Sequence, residues 1–147
     1  MKVVKSKFSF RGGVHPPYNK ELARDSAIER MPMPGELVIS MSQHLGAPAK
    51  CLVKAGDHVE KGDLIGEKNG FISVAVRSSA SGTVKAVEKR LGAAGAMADA
   101  VILVPDAEQP DGAVFEPMNW REASREDLLR RIEDCGICGM GGAGFPT

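Results

Sequence analysis

Apolar and polar residues alternate most regularly between Ala49 and Glu88. A first unit, Val53–Ile65, contains two Gly-Asp turns between short apolar runs. A second unit, Val74–Val84, has alternating residues on both sides of a serine-rich turn that ends at Gly82. β-branched residues flanking Gly, Asp and Ser turns are typical of tight β connections. The pattern therefore predicts two strand–turn–strand units in succession.

Further strands are predicted on both sides of these units. Glu36–Ser40 and Ala49–Val53 read as strands, and Gln43–Pro48 between them reads as a turn. Ala100–Val104 is a continuous apolar run of strand length, which favours a buried strand that closes the sheet. Leu91–Met97 is rich in Gly and Ala and is predicted to be a loop.

One helix is predicted, at Ser124–Asp134. Ser124 is a favourable N-cap residue, and Asp127 three positions later gives a pattern similar to a capping box. Leu128, Leu129 and Ile132 fall on one helical face at spacings of three and four. Trp120, just before the helix, is predicted to pack the helix against the strands.

Residues 1–35 lack the pattern of a strand or a long helix. Phe8, Phe10 and the Gly- and Pro-rich run to Pro17 predict an extended arm whose aromatic rings contact another surface. Lys20–Arg30 has a weak helical pattern, and Met31–Gly35 reads as a rigid connector.

Composition narrows the possible functions. The 147 residues are enough for one domain with flanking arms, and the formal net charge is zero, which argues against a nucleic-acid partner. No apolar run approaches the ~18 residues that span a membrane. Three cysteines favour a reducing compartment over a disulfide framework.

The central stretch resembles the biotinyl/lipoyl-type domain, a flattened barrel of two sheets. The resemblance rests on Val-x-x-Gly-Asp-x-Val-x-x-Gly-Asp-x-Leu and the later Val-x-Ser-x-x-x-Gly-x-Val. It implies a modified lysine at a hairpin tip, near Gly70-Phe71, but no lysine stands there and Lys68 lacks the expected neighbours. An unmodified structural barrel is the favoured interpretation, with a carrier domain as the alternative.

The second informative stretch is Gly139–Thr147, GMGGAGFPT, with four glycines in its first six residues. Glycine lets the backbone turn tightly, and consecutive N–H groups can surround a phosphate. The string resembles the flavin- and NADH-binding loop of the flavoprotein subunit of respiratory complex I, although those proteins carry arginine where this chain has Met140. That resemblance implies that Gly139, Gly141, Gly142, Ala143 and Gly144 contact flavin or nucleotide in an intact subunit.

The whole order of motifs resembles the C subunit of the Rnf electron-transport complex. The features that carry the resemblance are the GGVHPP arm, the MPMPGELVI entry, the lysine-free barrel and GMGGAGFPT. The resemblance implies a peripheral subunit at the cytoplasmic face of the cell membrane, with the other Rnf subunits, ferredoxin and NAD(H) as partners. It implies FMN, NADH and two [4Fe–4S] clusters in the full-length protein and no cofactor in this fragment.

On this interpretation the chain is mostly β and consists of four parts. They are an arm (1–35), a barrel-sandwich hybrid domain (36–104), a linker with one helix (105–138) and the start of a truncated flavin/NADH-binding domain (139–147). The expected role is a non-catalytic structural and docking module. The related subunit of a cobalamin-reducing flavoprotein is a further alternative.

Other polar residues give no catalytic or metal site. Cys135 and Cys138 form a CxxC, but Cys51 is the only other cysteine and is expected in a strand. A four-ligand metal site therefore lacks ligands, and a structural role is favoured for the pair. His44 and His58 lie in predicted turns, where solvent-exposed side chains are expected.

Overall fold

Two antiparallel sheets form the β part of the protein. The computed structural model describes residues 17–92, 95–110 and 115–147. Within them lie seven strands and one helix: β1 Leu37–Ser40, β2 Lys50–Cys51, β3 His58–Val59, β4 Leu64–Glu67, β5 Val76–Arg77, β6 Gly82–Leu91, β7 Met97–Pro105 and α1 Arg125–Asp134. The chain divides into two units, Met1–Pro32 and Met33–Thr147, and every element belongs to the second.

The larger sheet has the order β1-β7-β6-β3 and the smaller one β2-β4-β5. The hairpin of β6 and β7 is the longest pairing and runs from Gly82 opposite Pro105 to Leu91 opposite Met97. Its register shifts between Val84 and Ala86, which marks a bulge. The prediction of a mostly β fold with one short helix is confirmed.

The two Gly-Asp turns of the segment Val53–Ile65 have the same construction. Asp57 Oδ2 accepts the Lys54 N–H at 2.9 Å, and Asp63 Oδ2 accepts the Glu60 N–H at 2.8 Å. Gly56 and Gly62 precede these aspartates with φ angles of 91° and 96°, which glycine adopts without a Cβ penalty. The repeated sequence pattern thus encodes two tight turns, as predicted.

The core lies between the two sheets. Apolar residues from both sheets and their connections are almost fully buried there: Ile39, Met41, Val59, Ile65, Val76, Val84, Val101 and Leu103. The apolar run Ala100–Val104 falls inside β7, and its first four residues are at most 1% exposed. The predicted buried strand is confirmed.

Several predicted boundaries were wrong. Of the predicted strand Ala49–Val53 only Lys50–Cys51 is a regular strand, although the Leu52 N–H still donates to Ile65 O at 2.9 Å. In the segment Val74–Val84, the strand before the serine-rich turn is limited to Val76–Arg77. The predicted loop Leu91–Met97 is shorter than expected because both end residues pair in the β6–β7 hairpin. Residues 93 and 94 of that loop lie outside the described residues. Backbone hydrogen bonds between β6 and β7 continue beyond the apolar run Ala100–Val104, so the two strands are longer than the hydrophobic pattern predicts.

Most of the serine-rich connection between β5 and β6 is buried, and within it Ser79 is exposed. Ser78 and Ser81 are 4% and 3% exposed. The Ser81 hydroxyl donates to Glu60 Oε2 at 2.7 Å, and its backbone N–H donates to Gln109 Oε1 at 2.8 Å. Buried polar groups need such partners, and these contacts fix the connection next to the chain that follows β7.

Helix α1 begins as its sequence predicts. Ser124 is the N-cap, and its side chain accepts the Asp127 N–H at 3.1 Å. The Ser124 hydroxyl also donates to Asp127 Oδ2 at 2.6 Å. The helix ends at Cys135, and Gly136 follows with φ 69°. No residue of the helix is fully buried, and its apolar residues Leu128 and Ile132 are half-buried.

In the unit Met1–Pro32, the structure describes residues 17–32. Lys20 O accepts hydrogen bonds from the N–H groups of Ala23 at 3.1 Å and Arg24 at 2.8 Å, which form a single turn within the weak helical pattern. Every described residue of this unit is exposed. The aromatic contacts predicted for Phe8 and Phe10 lie outside the described residues.

Candidate functional site

The glycine-rich segment forms a closed loop after helix α1. Cys138 and Pro146 make an isolated antiparallel bridge at its base. The Gly139 N–H donates to Phe145 O at 2.8 Å, and the Thr147 N–H donates to Ile137 O at 3.0 Å. The loop therefore has a fixed base, from which Met140–Ala143 project.

Among the described residues, one backbone hydrogen bond joins this loop to the barrel. The Leu45 N–H donates to Gly144 O at 2.9 Å. Gly144 has φ 69°, and a Cβ there would lie 3.4 Å from Gln43 O and from His44 Cα. The chain's own backbone conformation therefore favours glycine at 144.

Gly141 and Gly142 differ from Gly144 in this respect. A Cβ at either position would meet no atom within 4 Å, and neither residue has a positive φ. The hydrogen bonds of the described residues include none donated by the N–H group of Gly141 or Gly142. Neither packing nor backbone conformation within the described part of the chain thus requires glycine at these two positions.

Arg77 at the end of β5 connects the barrel to the C-terminal end of helix α1. Its Nε donates to Asp134 O at 2.6 Å, and its Nη1 donates to Gly62 O at 2.9 Å. The guanidinium group bridges a carbonyl at the helix end and one of the Gly-Asp turns. A cation at this position also interacts favourably with the helix dipole.

Two more contacts attach the same helix end. Lys68, just after β4, forms an ion pair with Glu133. Gly136 lies against the barrel so closely that a Cβ on it would be 2.3 Å from Ala75 O. With Arg77, these contacts place helix α1 beside the β4–β5 connection.

His44 supports the loop from the barrel side and was predicted wrongly. It is 8% exposed instead of solvated, because it packs beneath the connection that leads to β5. Nδ1 lies 3.1 Å from Leu45 O, and Nε2 lies 3.3 Å from the Val74 N–H. Because a carbonyl only accepts and an N–H only donates, the proton belongs on Nδ1 and the lone pair on Nε2. The imidazole therefore connects Val74, just before β5, to Leu45, whose N–H donates to Gly144 O in the glycine loop.

Phe115, and not Trp120, packs against the helix region. The Phe115 ring lies 4.7 Å from the Arg77 guanidinium and 5.5 Å from that of Arg131 on α1. Trp120 is 62% exposed and stacks on its neighbour Arg121 at 4.6 Å. The sequence shows an aromatic near the helix but not which ring the arginines contact.

The carrier-domain position is occupied by an aromatic residue. The β4–β5 connection turns at Gly70, with φ 95°, and Phe71 beside it is 95% exposed. Lys68 is in the ion pair with Glu133 and not at the tip. A lysine that carries a swinging group must be free to move, so the geometry favours the unmodified barrel.

The CxxC lies between the helix and the glycine loop. Cys135 and Cys138 are free and half-buried, as is Cys51 on β2. Among the described residues, no group of three or more His, Cys, Asp or Glu side chains could bind a metal ion. None of the described helices is long and apolar enough to cross a membrane.

Comparison with known proteins identifies the family. Residues 8–108 match the RnfC barrel sandwich hybrid domain. The chain belongs to the RnfC family. The match covers β1–β7, so the barrel-sandwich prediction is confirmed.

Relatives of known name extend beyond the barrel. The C subunit of the Na(+)-translocating ferredoxin:NAD(+) oxidoreductase complex of Acetobacterium woodii is 39% identical over 95% of this chain. Its proton-translocating counterpart from Clostridium ljungdahlii is 37% identical, and the C subunit of the ion-translocating oxidoreductase complex of Edwardsiella ictaluri is 36% identical, each over 95% of this chain. The chain spans only 32%, 31% and 18% of these three relatives, respectively.

Proposed function

We propose that this RnfC-family chain is the N-terminal, non-catalytic module of an Rnf-type electron-transfer subunit. In that subunit the barrel supports helix α1 and the Gly139–Gly144 loop, and the loop contacts FMN or NADH together with residues beyond Thr147. The complete complex would transfer electrons between NAD(H) and ferredoxin and couple this transfer to ion translocation. The module would lie at the cytoplasmic face of the membrane, against other subunits of the complex.

The names of the relatives support the electron-transport part of this proposal. Three C subunits from different bacteria align with 95% of this chain, and their names describe ion-translocating oxidoreductase complexes. Because the chain spans a third or less of each, the redox activity of the whole protein is assigned to the full-length subunit.

The site assignment rests on two properties of Gly141 and Gly142: the open space at their Cβ positions and their N–H groups, which donate no hydrogen bond among the described residues. Glycine is unnecessary at both positions for the packing of the described residues, and both residues are exposed. Absence of a side chain and available N–H groups are what close approach to a phosphate or flavin requires. The loop therefore fits one part of an FMN or nucleotide site.

The number of cysteines does not favour a [4Fe–4S] cluster in this chain. A cluster requires four thiolate ligands, whereas the chain has three cysteines and pairs only Cys135 and Cys138 closely in sequence. The clusters implied for the full-length protein would therefore bind to residues outside these 147.

FMN titration of two proteins tests the proposal. The full-length subunit should bind FMN, and the 147-residue chain alone should not, because it supplies one loop of the site. Gly142→Ala in the full-length subunit should weaken FMN binding by about tenfold or more, since a methyl group would displace the ligand from the backbone.

The matched control is Gly35→Ala. Gly35 likewise has open space around its Cβ position, and its φ is not positive. It should leave FMN binding unchanged, and neither substitution should lower the melting temperature of the 147-residue chain. Tight stoichiometric FMN binding by the 147-residue chain would contradict the proposal, as would equal effects of the two substitutions.

The carrier-domain alternative predicts a different result. A biotin- or lipoyl-sized mass adduct on Lys68 in protein from its native host would support that alternative, whereas an unmodified mass agrees with the Lys68–Glu133 ion pair.

A further inference from the structure

An apolar groove lies between the β4–β5 connection and helix α1. Its volume is about 510 Å³. Side chains from the hairpin tip, from one face of the helix and from the end of the glycine loop line it: Phe71, Ile72, Leu129, Phe145, Pro146 and Thr147. We call this feature the tip–helix groove.

Large apolar side chains that line the tip–helix groove are unusually exposed to solvent. Phe71 is 95% exposed, Phe145 56% and Leu129 55%. An isolated exposed apolar side chain is ordinary, but several around one concave surface indicate an interface. Charged residues of the helix, among them Glu126 and Arg130, also line the groove. An apolar centre beside charged groups is typical of a surface that another polypeptide covers.

The position of Thr147 indicates which polypeptide covers it. Phe145, Pro146 and Thr147 form one wall of the groove, and the Thr147 N–H is fixed by its hydrogen bond to Ile137 O at 3.0 Å. Any residue joined to Thr147 therefore begins at this wall of the groove. The relatives align with 95% of this chain and are about three times as long as the aligned part.

We propose that the tip–helix groove binds the segment that directly follows Thr147 in the full-length subunit, with Phe71 as the main apolar contact. This inference rests on the proposed function, in which the chain is the first part of a longer protein. A tethered segment has a high effective concentration at the groove, so it occupies the surface ahead of a separate partner or a second copy. The barrel would thereby fix the position of the glycine loop and also of the segment that follows it in the chain.

Hydroxyl-radical footprinting compares the 147-residue chain with the full-length subunit. Phe71 and Leu129 should oxidise rapidly in the chain and about tenfold more slowly in the full-length subunit, because burial removes most of their exposed area. Leu91 and Met97, which are 73% and 60% exposed at the far end of the β6–β7 hairpin, are the internal controls. Their oxidation rates should agree between the two proteins.

The dependence on concentration and partners separates the possible occupants. Protection that is constant on dilution of the isolated full-length subunit supports the proposal. Protection that disappears on dilution would assign the groove to a second copy, and protection that needs other subunits would assign it to a partner. Either result, or equal oxidation of Phe71 in both proteins, overturns the proposal.

A pair of variants tests the contribution of Phe71 directly. Phe71→Ser should accelerate proteolysis of the full-length subunit just after Thr147 by about tenfold, because loss of the contact raises the population of the open segment. Leu91→Ser removes a similarly exposed apolar side chain away from the groove and should not change this rate. In the 147-residue chain, Phe71→Ser should leave the melting temperature unchanged, since the ring contacts little there. Equal proteolysis of the two full-length variants overturns the proposal.

These measurements do not depend on electron transfer. A subunit that binds FMN and oxidises NADH but leaves Phe71 exposed would overturn this inference and leave the proposed function intact. A subunit that protects Phe71 but binds no flavin would overturn the proposed function and leave this inference intact.

Discussion

Replacement of Arg77 by alanine should release helix α1 from the barrel. Arg77 donates to Asp134 O at 2.6 Å and to Gly62 O at 2.9 Å, and its guanidinium group stacks on Phe115 at 4.7 Å. The helix has no fully buried residue, and its apolar residues Leu128 and Ile132 are only half-buried, so apolar packing compensates for little of this loss. Loss of Arg77 therefore acts mainly on the equilibrium between attached and detached helix.

The expected magnitude follows from the individual contacts. A hydrogen bond with a charged donor contributes about 1.5–3 kcal/mol, and a cation–π contact at an exposed site adds about 0.5–1 kcal/mol. Arg77 is only half-buried, so water compensates for part of the loss. A net cost of roughly 1–3 kcal/mol remains, and its midpoint of about 2 kcal/mol corresponds to an increase of about 30-fold in the population of the detached helix.

Hydrogen exchange measures this population directly. Amides of α1 should exchange about 30-fold faster in Arg77→Ala, while amides of β7 in the core should change much less. Arg121→Ala is the matched control, because Arg121 also stacks on an aromatic ring, at 4.6 Å from Trp120. Since that contact lies within one short segment and does not join α1 to the barrel, the control should leave α1 exchange unchanged.

Two results would refute the reasoning. If exchange of α1 in Arg77→Ala stays within a factor of about three of the original protein, the three contacts do not position the helix. If β7 amides accelerate as much as α1 amides, Arg77 supports the barrel as a whole, and the assignment of its effect to the helix is wrong.

Two further predictions concern a close backbone contact and a surface histidine. Gly136→Ala should lower the melting temperature, because its φ of 69° costs an L-residue about 1–2 kcal/mol and the new Cβ would meet Ala75 O; Gly35→Ala, with open space, is the control, and equal melting temperatures would contradict the packing argument. The hydrogen bond to Asp106, reinforced by the charges of Glu60 and Asp63, raises the pKa of His58 above 6.5. The folded state therefore binds the proton on His58 more tightly than the unfolded state does, and protonation stabilises the fold. This stabilisation is fully present below the unfolded pKa and is lost as the pH rises through the folded pKa. The melting-temperature difference between the original protein and His58→Gln should be larger at about pH 5.5 than at about pH 8.5, and a pH-independent difference would show that the Asp106 pair has no such role.

Local features of the fold were predictable from the sequence because their determinants are adjacent. The capped start of α1 depends on Ser124 and Asp127, three residues apart, and each Gly-Asp turn depends on an aspartate three residues after the N–H that it accepts. Such hydrogen bonds form within one turn of chain whatever the rest of the protein does. The same holds for the buried strand in β7, whose apolar run excludes most other structures.

The attachments of the candidate site were not predictable in this way. Arg77 and Asp134 are 57 positions apart, Lys68 and Glu133 are 65 apart, and His44 and Val74 are 30 apart. Nothing in the neighbouring sequence distinguishes these residues from solvated ones, and His44 was accordingly expected in solvent. The sequence identified the glycine loop as a candidate site, but only the tertiary structure shows which side chains fix its position.

The contacts of the β4–β5 connection agree with the supporting role that we propose for this carrier-type barrel. A carrier domain needs a lysine that is unpaired and mobile, so that its group can reach separate sites. Here the charged residues on both sides of the tip interact with the helix: Lys68 pairs with Glu133, and Arg77 binds Asp134 O. Each interaction stabilises one orientation of the helix, and through Gly136 and Cys138 it restricts the base of the glycine loop. Residues that would hinder a carrier are therefore the ones that a rigid support requires, and the exposed Phe71 between them remains available for an apolar contact.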